Sequence, residues 1–152
     1  MNKIEVLKRS DLFRELDDEQ LSLVAEIGID QVFDAGTIIY KQGSTADQIH
    51  VIEHGLVGII LEVGPLAQRQ VQAAANFESF GWSAMIPPYT RTATVKALEQ
   101  TRVIAFNGRE LTAFCTAHCG EVGFKIMQAV ARVIAERLRQ AYIQLLGVTN
   151  GH

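Results

Sequence analysis

Between residues 80 and 95 the sequence reads FGWSAMIPPYTRTATV, and Arg91 is its one charged residue. A guanidinium keeps its proton inside a protein, so a partly buried one requires an anion or a strong acceptor. Gly81, ten positions earlier, can take a positive φ or let backbone amides close on an anion. The residues after Trp82, Ser83 and Ala84, can enter a single helical turn that points N–H groups and a positive dipole end at the same place. Thr92 adds a hydroxyl and an amide, and Pro87-Pro88 stiffens the connection. Gly81, Ser83, Ala84, Arg91 and Thr92 therefore read as an anion cradle. The alternative is internal: an ion pair from Arg91 to Glu78 or Glu99, or an exposed arginine at a loop tip.

Other reactive residues are sparse. Cys115, His118 and Cys119 form CTAHC, which offers soft metal ligands or a thiol pair. A zinc site wants four ligands, and no second cluster supplies the fourth. Small, reduced thiols near a helix junction explain the spacing better, so no metal is expected. His50, His54 and His118 have no carboxylate or nucleophile arranged about them and read as packed or exposed histidines. Without an acid–base or nucleophile pair, no enzyme is expected.

The elements that must carry the cradle follow from the pattern. In LDDEQLSLVAEIG, Asp17 and Gln20 have capping-box spacing, Leu21, Val24 and Ile27 recur at helical intervals, and Gly28 stops the helix. With a short helix over residues 10–16, this predicts helices within 10–28. Over residues 31–106 short β-branched and aromatic runs are punctuated by Gly36, Gly43 and a tight-turn signal at His54-Gly55. That rhythm predicts an antiparallel sandwich or barrel. Asn107 or Gly108 opens a helix over 108–116, and a proline-free helix follows over 121–146. Phe124, Met127, Ala131, Ile134, Leu138, Ala141 and Leu145 are spaced three and four apart along it, a heptad seam that points to a partner helix and a homodimer. A long helix lying on its own barrel is the other possibility. GVTNGH reads as a frayed tail.

The bulk composition agrees with one globular domain over 1–152. The chain is 48% hydrophobic and 20% charged, with a net charge of −3. That charge gives no basic footprint for nucleic acid. No signal-peptide core or membrane-length apolar run occurs, so a cytoplasmic protein with neither membrane nor direct nucleic-acid contact is expected.

This order of elements, with Gly36, Gly43 and Gly55 in DAG and KQGSTADQIHVIEHG and the FGWSA…RTATV loop, resembles the cyclic nucleotide-binding domain family. That is the sensor domain of catabolite activator-type regulators and of regulatory subunits of cyclic-nucleotide-dependent kinases. The resemblance implies a mainly β fold, an antiparallel double-stranded β-helix (jelly-roll) barrel with N-terminal helices and a long C-terminal helix. It also implies that loop 80–92 is a phosphate cassette for cyclic AMP or cyclic GMP, held by Gly81, Ser83, Ala84, Arg91 and Thr92. Binding would reposition the C-terminal helix and signal to an unknown protein partner. The family's binding members carry a Glu after the Gly, where it accepts from the ribose 2′-OH. Trp82 stands there in this chain, and indole only donates. Losing that charge-assisted bond costs about 1.5–3 kcal/mol, roughly ten- to a hundredfold in affinity. On the long helix the base-contacting position falls at Ala141 and Tyr142, and Tyr142 is either a purine contact or a surface aromatic. No DNA-reading or kinase-docking segment is expected. The alternative function is a ligand-free dimeric scaffold with Trp82 plugging the pocket.

Overall fold

The computed structural model describes residues 1–118 and 120–149. Its first helix, α1 (Lys3–Arg9), is capped by the Asn2 side chain, which accepts from the Glu5 amide at 2.9 Å. Residues 10–16, expected as a helix, are instead a series of turns. Ser10 causes the break, because its hydroxyl donates to the Leu7 carbonyl (2.7 Å) and accepts from the Phe13 amide (3.1 Å). A hydroxyl that bonds its own neighbourhood competes with helical pairing. Helix α2 (Asp18–Ala25) starts at the expected capping box, with Gln20 N–H on Asp17 Oδ1 (2.8 Å) and Asp17 N–H on Gln20 Oε1 (3.0 Å).

Eight strands follow: β1 (Ile29–Phe33), β2 (Ile38–Tyr40), β3 (Gln48–His54), β4 (Leu56–Gly64), β5 (Ala67–Ala75), β6 (Ser79–Phe80), β7 (Thr94–Ala97) and β8 (Thr101–Asn107). They form two four-stranded sheets, ordered β1-β8-β3-β6 and β2-β7-β4-β5, with every pairing antiparallel. This is the predicted jelly-roll barrel. His54-Gly55 is not a hairpin turn, since β3 and β4 lie in different sheets and the chain crosses between them there. Ile52, Val57, Phe80, Val95 and Val103 pack together inside the barrel. A larger core joins one end of the barrel to the helices, through Leu12, Phe13, Leu21, Ile49, Phe106 and Ile126 among others.

Asn107 caps α3 (Gly108–Ala117), accepting from the Arg109 and Glu110 amides. The last helix, α4 (Val122–Thr149), runs through part of the segment read as a tail; Cys119 and residues 150–152 lie outside the described residues. It buries Val122, Ile126, Ala129, Val130, Val133 and Arg137, a stripe at helical spacing. The heptad seam is a different face. Phe124, Met127, Ala131, Leu138 and Leu145 are exposed, while Ile134 and Ala141 are half-buried. So α4 lies on its own barrel with one face and presents the seam outward. Among the described residues, no helix is long and apolar enough to cross a membrane.

Candidate ligand site

Arg91 is fixed at its backbone before its side chain is considered. Its N–H donates to the Ser44 carbonyl and its own carbonyl accepts from Gly43 N–H, both at 2.8 Å. The segment around Gly43 thereby clamps the approach to β7. The guanidinium turns inward and is only 2% exposed. Nη2 donates to the Gln48 carbonyl (2.7 Å) and Nη1 to the Gly81 carbonyl (3.0 Å). The Tyr40 ring covers one face, its centroid 3.7 Å from Cζ. Neither Glu78 nor Glu99 pairs with it; the carboxylate within reach is Asp47, at 4.0 Å and on a side chain 81% exposed. Nε is buried without an acceptor.

The surroundings are dry. Burial presses the Arg91 pKa down, and Tyr40 and Asp47 offset part of that shift. Burial also pushes the Tyr40 hydroxyl up to about 12 against the pull of Arg91. His50 stacks on Phe80 at 4.7 Å, nearly parallel, and its Nδ1 has no partner. Burial, and then the Arg91 charge, drive its pKa down to about 3, so it is a neutral ring at any physiological pH.

Gly81 takes φ 89°, the left-handed conformation its sequence position suggested, and starts the 3-10 turn Trp82–Met85. A Cβ at Gly81 would stand 3.0 Å from Arg91 Nη1 and from the Gln48 carbonyl oxygen. Ser83 is half-buried and Ala84 buried, and Thr92 is exposed. The Ala84 amide donates to the Gly81 carbonyl at 3.2 Å, so that hydrogen is used within the turn. Ala84 also sits against α3, where a Cβ on Gly108 would run into its carbonyl oxygen.

Trp82 lies beneath α4. Its Nε1 donates to Ser79 Oγ at 3.0 Å, its ring packs on the larger core, and the Arg137 guanidinium is 5.7 Å from the ring centroid. Arg137 donates to the Ala73 carbonyl (3.1 Å) and pairs with Glu78 at 3.6 Å, while its own carbonyl accepts from Gln72 Nε2 (2.8 Å). Beside it a mainly apolar groove of about 510 Å³ runs between the β4–β5 hairpin and α4, lined by Leu61, Val71, Ile134, Leu138 and Ala141 with Arg69 and Arg137. Tyr142 is exposed and does not line this groove. The structure thus brings Gly81, Ala84 and Arg91 together, and leaves Thr92 and Tyr142 on the surface.

Sequence reading missed Tyr40, Asp47 and Arg137. Arg137 had a signal, because it continues the 126, 130, 133 spacing of the buried stripe. Tyr40 had none beyond its place in a glycine-flanked strand, and Asp47, just before β3, had none. Among the described residues, no three His, Cys, Asp or Glu side chains group as metal ligands.

The cyclic nucleotide-binding domain model matches residues 30–118, and the chain belongs to that family. The cAMP-dependent protein kinase regulatory subunit of Dictyostelium discoideum is 31% identical over 68% of this chain and 32% of its own length. The cGMP-dependent protein kinase, isozyme 1, of Drosophila melanogaster is 27% identical over 64% of this chain and 13% of its own. The match therefore spans a third or less of these relatives. Among solved structures, a Geobacter metallireducens protein designated cyclic nucleotide-binding superposes with a TM-score of 0.78 at 29% identity, over 91% of this chain and 99% of that one. The catabolite activator protein of Thermus thermophilus shares the fold, with a TM-score of 0.76 at 21% identity over 92% and 63%.

Proposed function

We propose that this chain is a regulatory small-ligand sensor, taking a cyclic nucleotide or another small anion at the Gly81–Arg91 loop and signalling through α4. One observation carries the reading: Arg91 is a buried cation whose closest carboxylate is 4.0 Å away on an exposed side chain, and whose Nε has no acceptor. A buried charge with so little compensation is costly unless an anion completes it. Tyr40 stacks on a face of the guanidinium, whereas hydrogen bonds to phosphate lie in its plane. The ring and the anion are therefore compatible. Gly81, Ser83 and Thr92 line the approach. Cyclic AMP and cyclic GMP come first as ligands, because relatives of both kinds are similar to this chain.

The Arg91 side chain is 2% exposed, so binding would move the loop that covers it. That movement would reach α4 through Trp82, which carries Arg137 above it. A homodimer through Phe124, Met127, Ala131, Ile134, Leu138, Ala141 and Leu145 would give the helix something to signal against, and a downstream protein would read the result.

The test is a thermal-shift titration with cyclic AMP, cyclic GMP and inorganic phosphate on the wild type and Arg91→Lys. The expected result is a saturable rise in Tm with a cyclic nucleotide, weakened at least about tenfold in Arg91→Lys, which keeps the charge but loses the planar fork. A second reading, a ligand-free dimeric scaffold, is favoured by Trp82 packed under α4 at the position where the family resemblance implies a carboxylate. Millimolar ligand without any shift, together with a dimer that Leu138→Glu dissociates, would establish that one instead.

A further inference from the structure

The second cavity of interest lies on the other side of Arg137, between the N-terminal segment and α4. It has a volume of about 430 Å³, within the range of small-molecule sites. Its lining is unusual in charge. Arg9 comes from the end of α1, Arg14 from the turn region after it, and Arg132 and Arg137 from α4. Four guanidiniums from three separate stretches repel one another, and a chain gains nothing by gathering them unless something negative sits between.

Three carboxylates also line the cavity, Asp11, Glu78 and Glu136; Glu78 faces Arg137 within it, and Asp11 Oδ1 is buried without a hydrogen-bond partner. Asp11 Oδ2 accepts from the Ser79 amide at 3.1 Å, and burial raises the pKa of its carboxyl. Glu78 Oε1 accepts from the Ala75 amide at 2.9 Å, and its other oxygen faces Arg137 at 3.6 Å. Glu136 pairs with Arg139 at 3.8 Å. Arg9 and Arg132 are left over. Among the described residues, no carboxylate lies within 4.0 Å of Arg9 or Arg132. Arg9 rests on the Phe77 ring at 4.8 Å, and Arg132 donates to the Asp11 main-chain carbonyl at 3.0 Å. Arg14 has its sequence neighbour Glu15 at 3.7 Å, with both side chains more than half exposed. Arg137 is 8% exposed, and its Nη2 is buried without a hydrogen-bond acceptor.

We propose that this cavity is a second ligand site, separate from the Arg91 loop, which binds a compact phosphate-bearing dianion. Phosphomonoesters and pyrophosphates share the required chemistry: several oxygens around one centre, each able to take an arginine N–H. Arg9, Arg14 and Arg132 supply the charge from the rim, and Arg137 reaches the floor. Because Arg137 also lines the groove beside Trp82, an anion here competes with Glu78 for it and changes how α4 is held over that ring.

Inorganic pyrophosphate is the probe, titrated at ionic strength matched with KCl while the emission of Trp82, the chain's one tryptophan, and the Tm are followed. A saturable change in both is expected. Arg9→Gln/Arg14→Gln alters two exposed side chains and leaves the fold intact; it should weaken binding by about tenfold or more. Arg132→Gln should do the same, whereas Arg91→Lys should leave the affinity unchanged, whether or not the loop binds nucleotides. Equal affinity in the double variant overturns the proposal, as does the lack of any saturable response up to about 10 mM, where binding would fall below roughly 3 kcal/mol.

Discussion

Two buried arginines, Arg91 in the loop and Arg137 on α4, solve the same physical problem in opposite ways. Arg91 is held by main-chain carbonyls at the mouth of the barrel, Gln48 at the start of β3 and Gly81 just past β6. Its backbone is tied on both sides, and its counter-charge is 4.0 Å off. Arg137 has a carboxylate of its own chain at 3.6 Å and a carbonyl at the end of β5, but it rides on a helix. The first cation is rigid and under-compensated, which suits an anion from outside. The second has a nearer carboxylate of its own chain and sits on a helix, which suits a clamp. The contrast is one of counter-charge: at similar burial, Arg91 has the more distant and more exposed carboxylate.

Arg91→Ala breaks the comparison hardest. It leaves the Gln48 carbonyl without its donor and opens a void under Tyr40, so a loss of about 3 kcal/mol is expected in urea denaturation. A loss under about 1 kcal/mol would mean that the loop does not depend on this side chain. The neighbouring His50 sharpens the picture through pH. Its folded pKa is about 3, well below the ordinary imidazole value of about 6.5. The unfolded chain therefore binds the proton first, and stability present above about pH 6.5 is lost as the pH falls toward 3. His50→Gln should flatten that acid limb by roughly 2–3 kcal/mol at about pH 4.5, read from urea midpoints across pH.

Arg137→Ala should cost about 2 kcal/mol, less than the first change because Glu78 is partly exposed and can be rehydrated. It should also shift Trp82 emission to the red as the helix loosens above the ring. An unchanged spectrum would remove Arg137 from the clamp. The smallest effect belongs to Asp47→Asn. Removing a carboxylate that exposed should change stability by less than about 1 kcal/mol and, if an anion binds at Arg91, should tighten it slightly by withdrawing a competitor. A marked loss of stability would show that Asp47 already compensates the arginine.

The contrast between these two sites also explains what could be read from the chain beforehand. The capping box at Asp17 and Gln20, the glycine-split strands and the helical turn after Gly81 were legible because each depends on residues close in sequence. Helix α1 was not, since the residue that ends it, Ser10, also has the profile of a helix start. The Gly81-to-Arg91 spacing identified the loop, yet the partners of Arg91 are carbonyl oxygens, which every residue possesses and no side chain advertises. The seam on α4 was visible as a heptad, but the stripe facing the barrel runs alongside it with the same period. Two apolar faces offset around one helix blur into a single broad pattern, and Arg137 disappeared into it.

Gly108 has a mechanical consequence. Its Cα abuts the Ala84 carbonyl, with no clearance for a methyl group, and its N–H holds the Asp47 carbonyl at 2.8 Å. Packed contacts of this kind push rather than yield. The joint between loop and α3 therefore has little backlash, and a displacement of the turn beyond Gly81 toward the helix would press directly on it. A single added methyl, in Gly108→Ala, would act as a shim. It would set the two parts permanently apart and hold the lever at one end of its travel.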